Sequence, residues 1–249
     1  MIQEPFATGH SWIHRIDPRY RIVFSGIISL TIAISNQFPA LVTGLFFSMV
    51  LVGLARLNIK AVIKRLTVVF GFLLLIWATL PLTFEGEALY HLGPITITRQ
   101  GVMLSAQMTI KSIAILLIFM ALITSMTIVT LGHALHRLRL PDKLVYLLLM
   151  TYRYIFVIEA EYQCLQKAIK IRCFKPGTNI HSYKTCAYLI GMLFFRASIR
   201  AERVHQAMLC RGFKGKFYTL NHFPSGGQNI LFGLLMTTIV LGLLILEYS

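Results

Sequence analysis

Negative charge is scarce in this 249-residue sequence, with 9 Asp plus Glu against 24 Lys plus Arg. The apolar runs described below hold no carboxylate before Glu247 at their far end. That excludes membrane-embedded proteolysis or group transfer by acid or metal chemistry, which needs carboxylates or other metal ligands near the bilayer. The four cysteines, Cys164, Cys173, Cys186 and Cys210, lack C-x-x-C spacing, so they read as reduced thiols rather than a zinc or redox site. A phosphate-binding loop is missing too: Gly215-Lys216 is followed by Phe217 and has no upstream glycine of the Walker pattern. Nucleotide hydrolysis is therefore expected from another chain. The first twenty residues carry Glu4, His10, His14, Arg15, Asp17 and Arg19 without a central apolar region, so no cleavable signal is expected there.

Apolar residues dominate what remains, at 56% hydrophobic and 13% charged with a mean hydropathy of +0.70. A soluble domain needs more polar surface than this. The fold class expected is an all-α polytopic membrane protein of about five transmembrane helices with a cytoplasmic region of amphipathic helices. A helix needs about 20 apolar residues to cross ~30 Å of hydrocarbon. Ile22–Ala55 is too long for one crossing, and Asn36-Gln37-Phe38-Pro39 breaks it, because proline removes a donor and restricts the residue before it. The predicted organisation is a cytoplasmic segment 1–20, spans over 21–35, 38–55, 66–84 and 101–131, a cytoplasmic region 132–228, and a final span 229–246. Leu144–Ile158 is the alternative further crossing, with Arg153 facing a bundle interior.

Charge placement sets orientation. Three basic residues precede the first span, four lie between the second and third, and fifteen lie between Gly132 and Gln228, so 22 of the 24 share one side. The positive-inside bias puts that side and the N-terminus in the cytoplasm and implies an inner, multi-pass membrane location. Topology and attraction to anionic headgroups thus account for the net charge of +15. Nucleic acid is not an expected partner, since no aromatic and basic interleaving of RNA-binding type is present. Lys111, inside the fourth apolar run, is expected to snorkel outward along its stem. His133 and His136 stand at a helical i, i+3 spacing, but the histidines are otherwise dispersed and no metal site is assigned.

The basic region carries a repeat. Ile171-Arg172-Cys173-Phe174-Lys175 is echoed by Cys210-Arg211-Gly212-Phe213-Lys214, with Arg211 standing 39 residues after Arg172. Leu193, Ala197, Ala201, Val204 and Met208 form one stripe of a helix leading to the second copy. Beside it run Arg196, Arg200 and Arg203, with Arg200 expected on a solvated or lipid-facing position. Gly212 suits a left-handed helix terminus, whereas Cys173 should disfavour one, so the first helix is expected to end later, at Pro176-Gly177. Capping alone explains neither the shared Phe-Lys nor an arginine in both copies, and two arginines on helix ends fit two carboxylate-bearing clefts.

At these residues the chain resembles the T component of energy-coupling factor transporters, whose pattern is two Ala-Arg-Gly-like triplets on cytoplasmic coupling helices. The triplets here are Ile171-Arg172-Cys173 and Cys210-Arg211-Gly212. The stretches Phe6–Ser11, His14–Arg19 and Arg200–Phe213 narrow the resemblance to the CbiQ-type subunit of cobalt and nickel importers. The resemblance implies a non-catalytic scaffold without cofactors of its own. It would grip two ATP-binding cassette subunits, which carry ATP and magnesium, and a membrane substrate-binding subunit resembling CbiM, with or without a small CbiN-like chain. ATP-driven movement would tilt or release that subunit. A stand-alone carrier or channel, or a T component serving a vitamin, are the alternatives. A carrier would usually show repeated or interrupted spans, and only the cytoplasmic motif repeats.

Overall fold

The computed structural model describes residues 13, 16–83, 88–92, 95–215 and 227–248. The segments Phe6–Ser11 and Phe217 onward to Ser225, together with His10, His14, Arg15 and Lys216, lie outside them. The architecture is that of an all-α polytopic membrane protein. Its helices are α1 (Pro18–Ile34), α2 (Phe38–Ala55), α3 (Ile59–Thr83), α4 (Arg99–Leu122), α5 (Ile128–Arg137), α6 (Asp142–Ile171), α7 (Ile180–Cys210) and α8 (Gly227–Tyr248). Between α3 and α4, where the sequence suggested only a loop, β1 (Ala88–Leu92) and β2 (Ile95–Thr98) pair as an antiparallel hairpin. Among the described residues, α2, α3, α4 and α8 are long and apolar enough to cross a membrane. The chain divides into two compact units, residues 3–131 with 222–249, and residues 132–221 together with the first two.

The first unit is a bundle of α1 to α4 and α8. Its centre is Ile28, Ile32, Leu41, Leu51, Ile118, Phe232 and Met236, all essentially inaccessible. Phe24 meets Phe232 edge-on at 6.1 Å between ring centroids, the arrangement favoured by the ring quadrupoles. Small residues let the helices approach: Gly44 lies where a Cβ would stand 3.2 Å from Ile32 Cδ1, and Ser48, Ser105 and Ala114 are fully buried. Without a hydrophobic drive between helices in lipid, close packing of this kind supplies much of their association. The two serine hydroxyls donate to carbonyls of their own helices, Leu45 at 2.7 Å and Val102 at 2.8 Å, and so carry no unsatisfied polarity into the core. On α3 only Val62, Leu73 and Pro81 are buried. Val68, Phe70, Phe72, Leu74 and Leu75 are exposed, as suits a helix face turned to lipid or another membrane chain.

The predicted break falls where expected: α1 ends at Ile34 and α2 begins at Phe38 with Pro39 in its first turn. Two other boundaries differ. The third helix starts at Ile59, not Leu66, because the Asn58 side chain accepts from the Lys60 N–H at 3.2 Å and caps it. Lys60, Lys64 and Arg65 therefore ride on its first two turns. The fourth apolar run is not one helix to Leu131. It stops at Leu122, and Thr127 caps α5 by accepting from the Thr130 N–H at 3.1 Å. The high mean apolarity of the run concealed this break; the signal was the cluster of Thr124, Ser125 and Thr127 hydroxyls, which compete for backbone partners.

Lys111 does not snorkel away. Its Nζ donates to the Ala33 carbonyl at 3.0 Å and to Asn36 Oδ1 at 3.1 Å, placing a cation on the C-terminus of α1. The same turn is gripped by Gln107 Nε2, which donates to the Asn36 carbonyl at 2.9 Å. Glu247 accepts from Ser35 Oγ at 2.5 Å, from the Asn36 N–H at 2.9 Å and from the Gln37 N–H at 3.3 Å. At the other end of α1, Asp17 caps the helix through the Arg19 N–H and its own N–H donates to Asn229 Oδ1 of α8 at 3.1 Å.

The α3 and α4 helices approach closely at Gly101, where a Cβ would fall 2.7 Å from Pro81 Cα and 2.8 Å from the Leu80 carbonyl. Both are backbone atoms and cannot swing aside. Gly101→Ala should therefore destabilise the bundle by about 1 to 3 kcal/mol, the range for overpacking. Gly71→Ala, which meets nothing within 4 Å, should leave the melting temperature in detergent unchanged or slightly raised. An unchanged melt for Gly101→Ala would show that the crossing has room to give.

Candidate functional site

The second unit is built on α6 and α7, of 30 and 31 residues, each roughly 45 Å long at 1.5 Å per residue. Arg196 Nη1 and Arg200 Nη2 of α7 both bind the Glu161 carboxylate of α6, at 2.5 Å and 3.1 Å. Tyr146, near the start of α6, stacks on Phe213, just past the end of α7, at 5.6 Å between centroids. Contacts that run early-to-late on one helix and late-to-early on the other mean that the pair is antiparallel. The half-buried Leu193 and Ala197 of the predicted stripe, with Ala201, face Leu147, Thr151, Tyr154 and Ile158 across an open cleft of about 320 Å³. Along α7, Tyr188, Ile190, Phe194 and Phe195 are exposed, Tyr188 and Phe195 on the side away from this cleft.

Arg200 is exposed, as expected, but it is also paired across the helices. It closes a two-arginine clamp on one carboxylate between two helices. The clue available in the sequence was an i, i+4 arginine pair, on one helix face, opposite a helix whose C-terminal half has few acids.

Both repeat copies end their helices in the same way. Arg172 is the C-cap of α6, at φ −79° and ψ 17°, and Arg211 the C-cap of α7, at φ −88° and ψ 9°. Cys173 and Gly212 follow with left-handed φ of 60° and 79°. The Phe174 N–H then donates to the Ile169 carbonyl at 3.2 Å and the Cys173 N–H to Lys170 at 3.1 Å. In the second copy Phe213 donates to Met208 at 3.0 Å and Gly212 to Leu209 at 2.9 Å. Each is a Schellman motif, whose 6→1 and 5→2 bonds satisfy the last carbonyls and whose following residue is typically hydrophobic. The expectation that α6 would continue to Pro176-Gly177 is corrected: Cys173 adopts the strained conformation and stops the helix at Ile171. The shared phenylalanine is explained by the cap as well.

The arginines are not. A third Schellman end closes α5, with Arg139 left-handed at φ 65° and bonds from Leu140 to Leu135 and from Arg139 to His136. At the position of Arg172 and Arg211 it carries Leu138, so the cap does not require arginine. Both Arg172 and Arg211 are exposed, and neither guanidinium has a side-chain partner among the described residues. Ile171 and Cys210 beside them are exposed too. Because Arg211 lies by the start of α6 and Arg172 at its end, the two stand roughly 40 Å apart along the pair.

The histidine pair of α5 is not arranged as a pair of ligands. His136 Nδ1 lies 3.0 Å from Asp142 Oδ1, while His133 Nδ1 is buried without a hydrogen-bond partner among the described residues. Burial, and secondarily the neighbouring His136, holds the His133 imidazole below its ordinary range. Gly132 brings α5 close to α6, since a Cβ there would fall 2.8 Å from Leu149 Cδ2.

Comparison with known proteins gives a consistent picture. The profile of the CbiQ family, described as cobalt transport protein, matches residues 9–220. The chain is 28% identical over 228 residues to the energy-coupling factor transporter transmembrane protein EcfT of Macrococcus caseolyticus, covering 86% of this chain and 85% of that one. It is 29% identical over 229 residues to EcfT of Listeria innocua, with the same coverage. Similarity to the cobalt transport protein CbiQ of Rhodobacter capsulatus is 29% over 166 residues, covering 64% of this chain and 67% of that one.

The two caps differ in the residue that bears the left-handed strain, which costs a side chain about 1 kcal/mol relative to glycine. Cys173→Gly should therefore stabilise the end of α6 and raise the melting temperature modestly, while Gly212→Cys should lower it. Slower amide exchange at Phe174 in Cys173→Gly is the direct measurement. Faster exchange there would mean that the thiol, and not the backbone, holds the turn.

Proposed function

This chain belongs to the CbiQ family of cobalt transport proteins, and from that membership we propose that it is the coupling subunit of an ATP-driven importer of the energy-coupling factor type. In this reading Arg172 and Arg211 each enter a carboxylate-bearing cleft on one of two cytoplasmic ATP-binding cassette subunits. The observation that carries it is that the two arginines sit on equivalent, solvent-facing helix ends whose caps have no need of them. Their separation of roughly 40 Å suits two partners better than one. A membrane substrate-binding subunit takes the cargo, a cobalt or nickel ion, and docks on exposed apolar faces such as those of α3 and α7. Hydrolysis belongs to the partner subunits, and this chain is a non-catalytic permease component.

The proposed topology has α1 as a fifth crossing. At 17 residues it is about 26 Å long, a little short of the hydrocarbon core, and its turn with α2 would sit within reach of the far interface. With five crossings Arg19, Arg56, Lys60 and the second unit fall on the cytoplasmic side of an inner membrane, as the positive-inside bias requires.

A half-made charge-assisted contact at a desolvated interface costs roughly 2 to 5 kcal/mol. Arg172→Ala and Arg211→Ala should each weaken co-purification of the ATPase subunits, and the double variant should abolish both assembly and uptake. Lys167→Ala, removing an exposed charge on the same stretch of α6, should do neither. Uptake assays with radioactive cobalt, nickel and vitamins, run on the same membranes, identify the cargo. Normal assembly in the double variant would reduce the arginines to helix-end residues.

Orientation has its own test, because all four cysteines are free and exposed. In intact cells Cys164 and Cys186 should resist a membrane-impermeant maleimide and react once the membrane is opened. Labelling from outside would reverse the proposed topology.

A further inference from the structure

Arg21 is the most deeply buried charge in the described chain, at 2% exposure, and nothing in the reading above uses it. A guanidinium stays protonated in proteins, so its surroundings must accept a positive charge. No carboxylate lies within ion-pair distance among the described residues, and Nε has no hydrogen-bond partner. Its contact is with Ser125, to which Nη2 donates. Ser125, itself 1% exposed, passes its hydroxyl hydrogen on to the Ala121 carbonyl at 2.6 Å. The charge thus rests, through one hydroxyl, on the last turn of α4, where unsatisfied carbonyls and the helix dipole are negative.

That turn is the break between α4 and α5. The Ile123 and Thr124 N–H groups both donate to the Phe119 carbonyl, at 2.9 and 3.0 Å, and Met126 donates to Ile123 at 3.1 Å. Helical bonding resumes from Thr127. Four residues later, between Leu131 and Gly132, the chain passes from the bundle to the unit that carries both arginine caps. The N-terminal end of α1 is in turn held to α8 through Asp17 and Asn229.

We propose that Arg21 is a positioning residue for energy coupling: by pinning the α4–α5 break to α1 through Ser125, it makes displacement of the α5–α7 unit move the bundle instead of being absorbed in the break. The inference rests on the coupling reading above. A merely structural arginine would alter folding or assembly. A coupling arginine alters the cargo moved per ATP hydrolysed by complexes that assemble normally.

The test compares Arg21→Lys, Arg21→Met and Ser125→Ala in the intact complex reconstituted in vesicles, reading assembly, ATPase rate and cobalt or nickel uptake. Ser125→Ala keeps the charge and removes the relay, so it decides the matter if Arg21→Met does not fold. Ser125→Ala should keep its ATPase rate while uptake per ATP falls roughly two- to thirty-fold, the span of coupling effects from residues remote from both sites. Arg21→Lys should retain more coupling than Arg21→Met. Unchanged uptake per ATP in assembled Ser125→Ala complexes would overturn the proposal. Failure of the unmodified chain to co-purify with any ATPase would instead overturn the coupling reading on which it rests.

Discussion

A helix that stops must find partners for the carbonyls or N–H groups its last turns leave unpaired, and in a membrane water is not there to supply them. That constraint organises this protein more than any buried apolar contact does. Lys111 sits on the C-terminus of α1, Glu247 collects the N–H groups ahead of α2, and Arg21 reaches the C-terminus of α4 through Ser125. Ions that would be costly in the middle of the bilayer are each spent on a helix end where the dipole is opposite in sign. Their cost is offset by satisfying groups that would otherwise stay bare.

The same chemistry takes a different form in the second unit. There, α5, α6 and α7 all close with Schellman motifs made by the backbone itself. Arg172 and Arg211 are left free at the tips of long helices, while Glu161 absorbs the two arginines, Arg196 and Arg200, that face the helix pair. The unit separates its cations by role. Those between the helices hold them together, and those beyond the caps project outward.

The division explains what could be read from the sequence. Apolar run length and Pro39 revealed the helices of the bundle, because those signals report on composition against lipid and on backbone sterics. The repeat and Gly212 revealed the end of α7 for a similar local reason. Cys173 misled, since a side chain at left-handed φ is unfavourable taken alone, and the two backbone bonds that follow and the half-buried Phe174 ring offset it. Lys111, Arg21, Arg200 and Glu161 could not be placed because their partners are between 35 and 104 residues away. An isolated charge in a sequence shows that it must be compensated, not by what.

The break at Ile123–Thr127 shows where composition and mechanics part. To a membrane, residues 101–131 are one apolar stretch. To the backbone they are two helices, because three hydroxyl side chains near the end offer competing hydrogen bonds and α4 has no other cap. A continuous helix would transmit a push stiffly along its axis. An interrupted one bends unless something ties the interruption down, and here Arg21, from the first turn of α1, bonds to Ser125 within the interruption. Arginine suits that place better than lysine, since its planar guanidinium stays charged when buried and holds the Ser125 hydroxyl with one nitrogen. In the proposed coupling role, the buried cation would keep the break at the start of α5 from acting as a free joint.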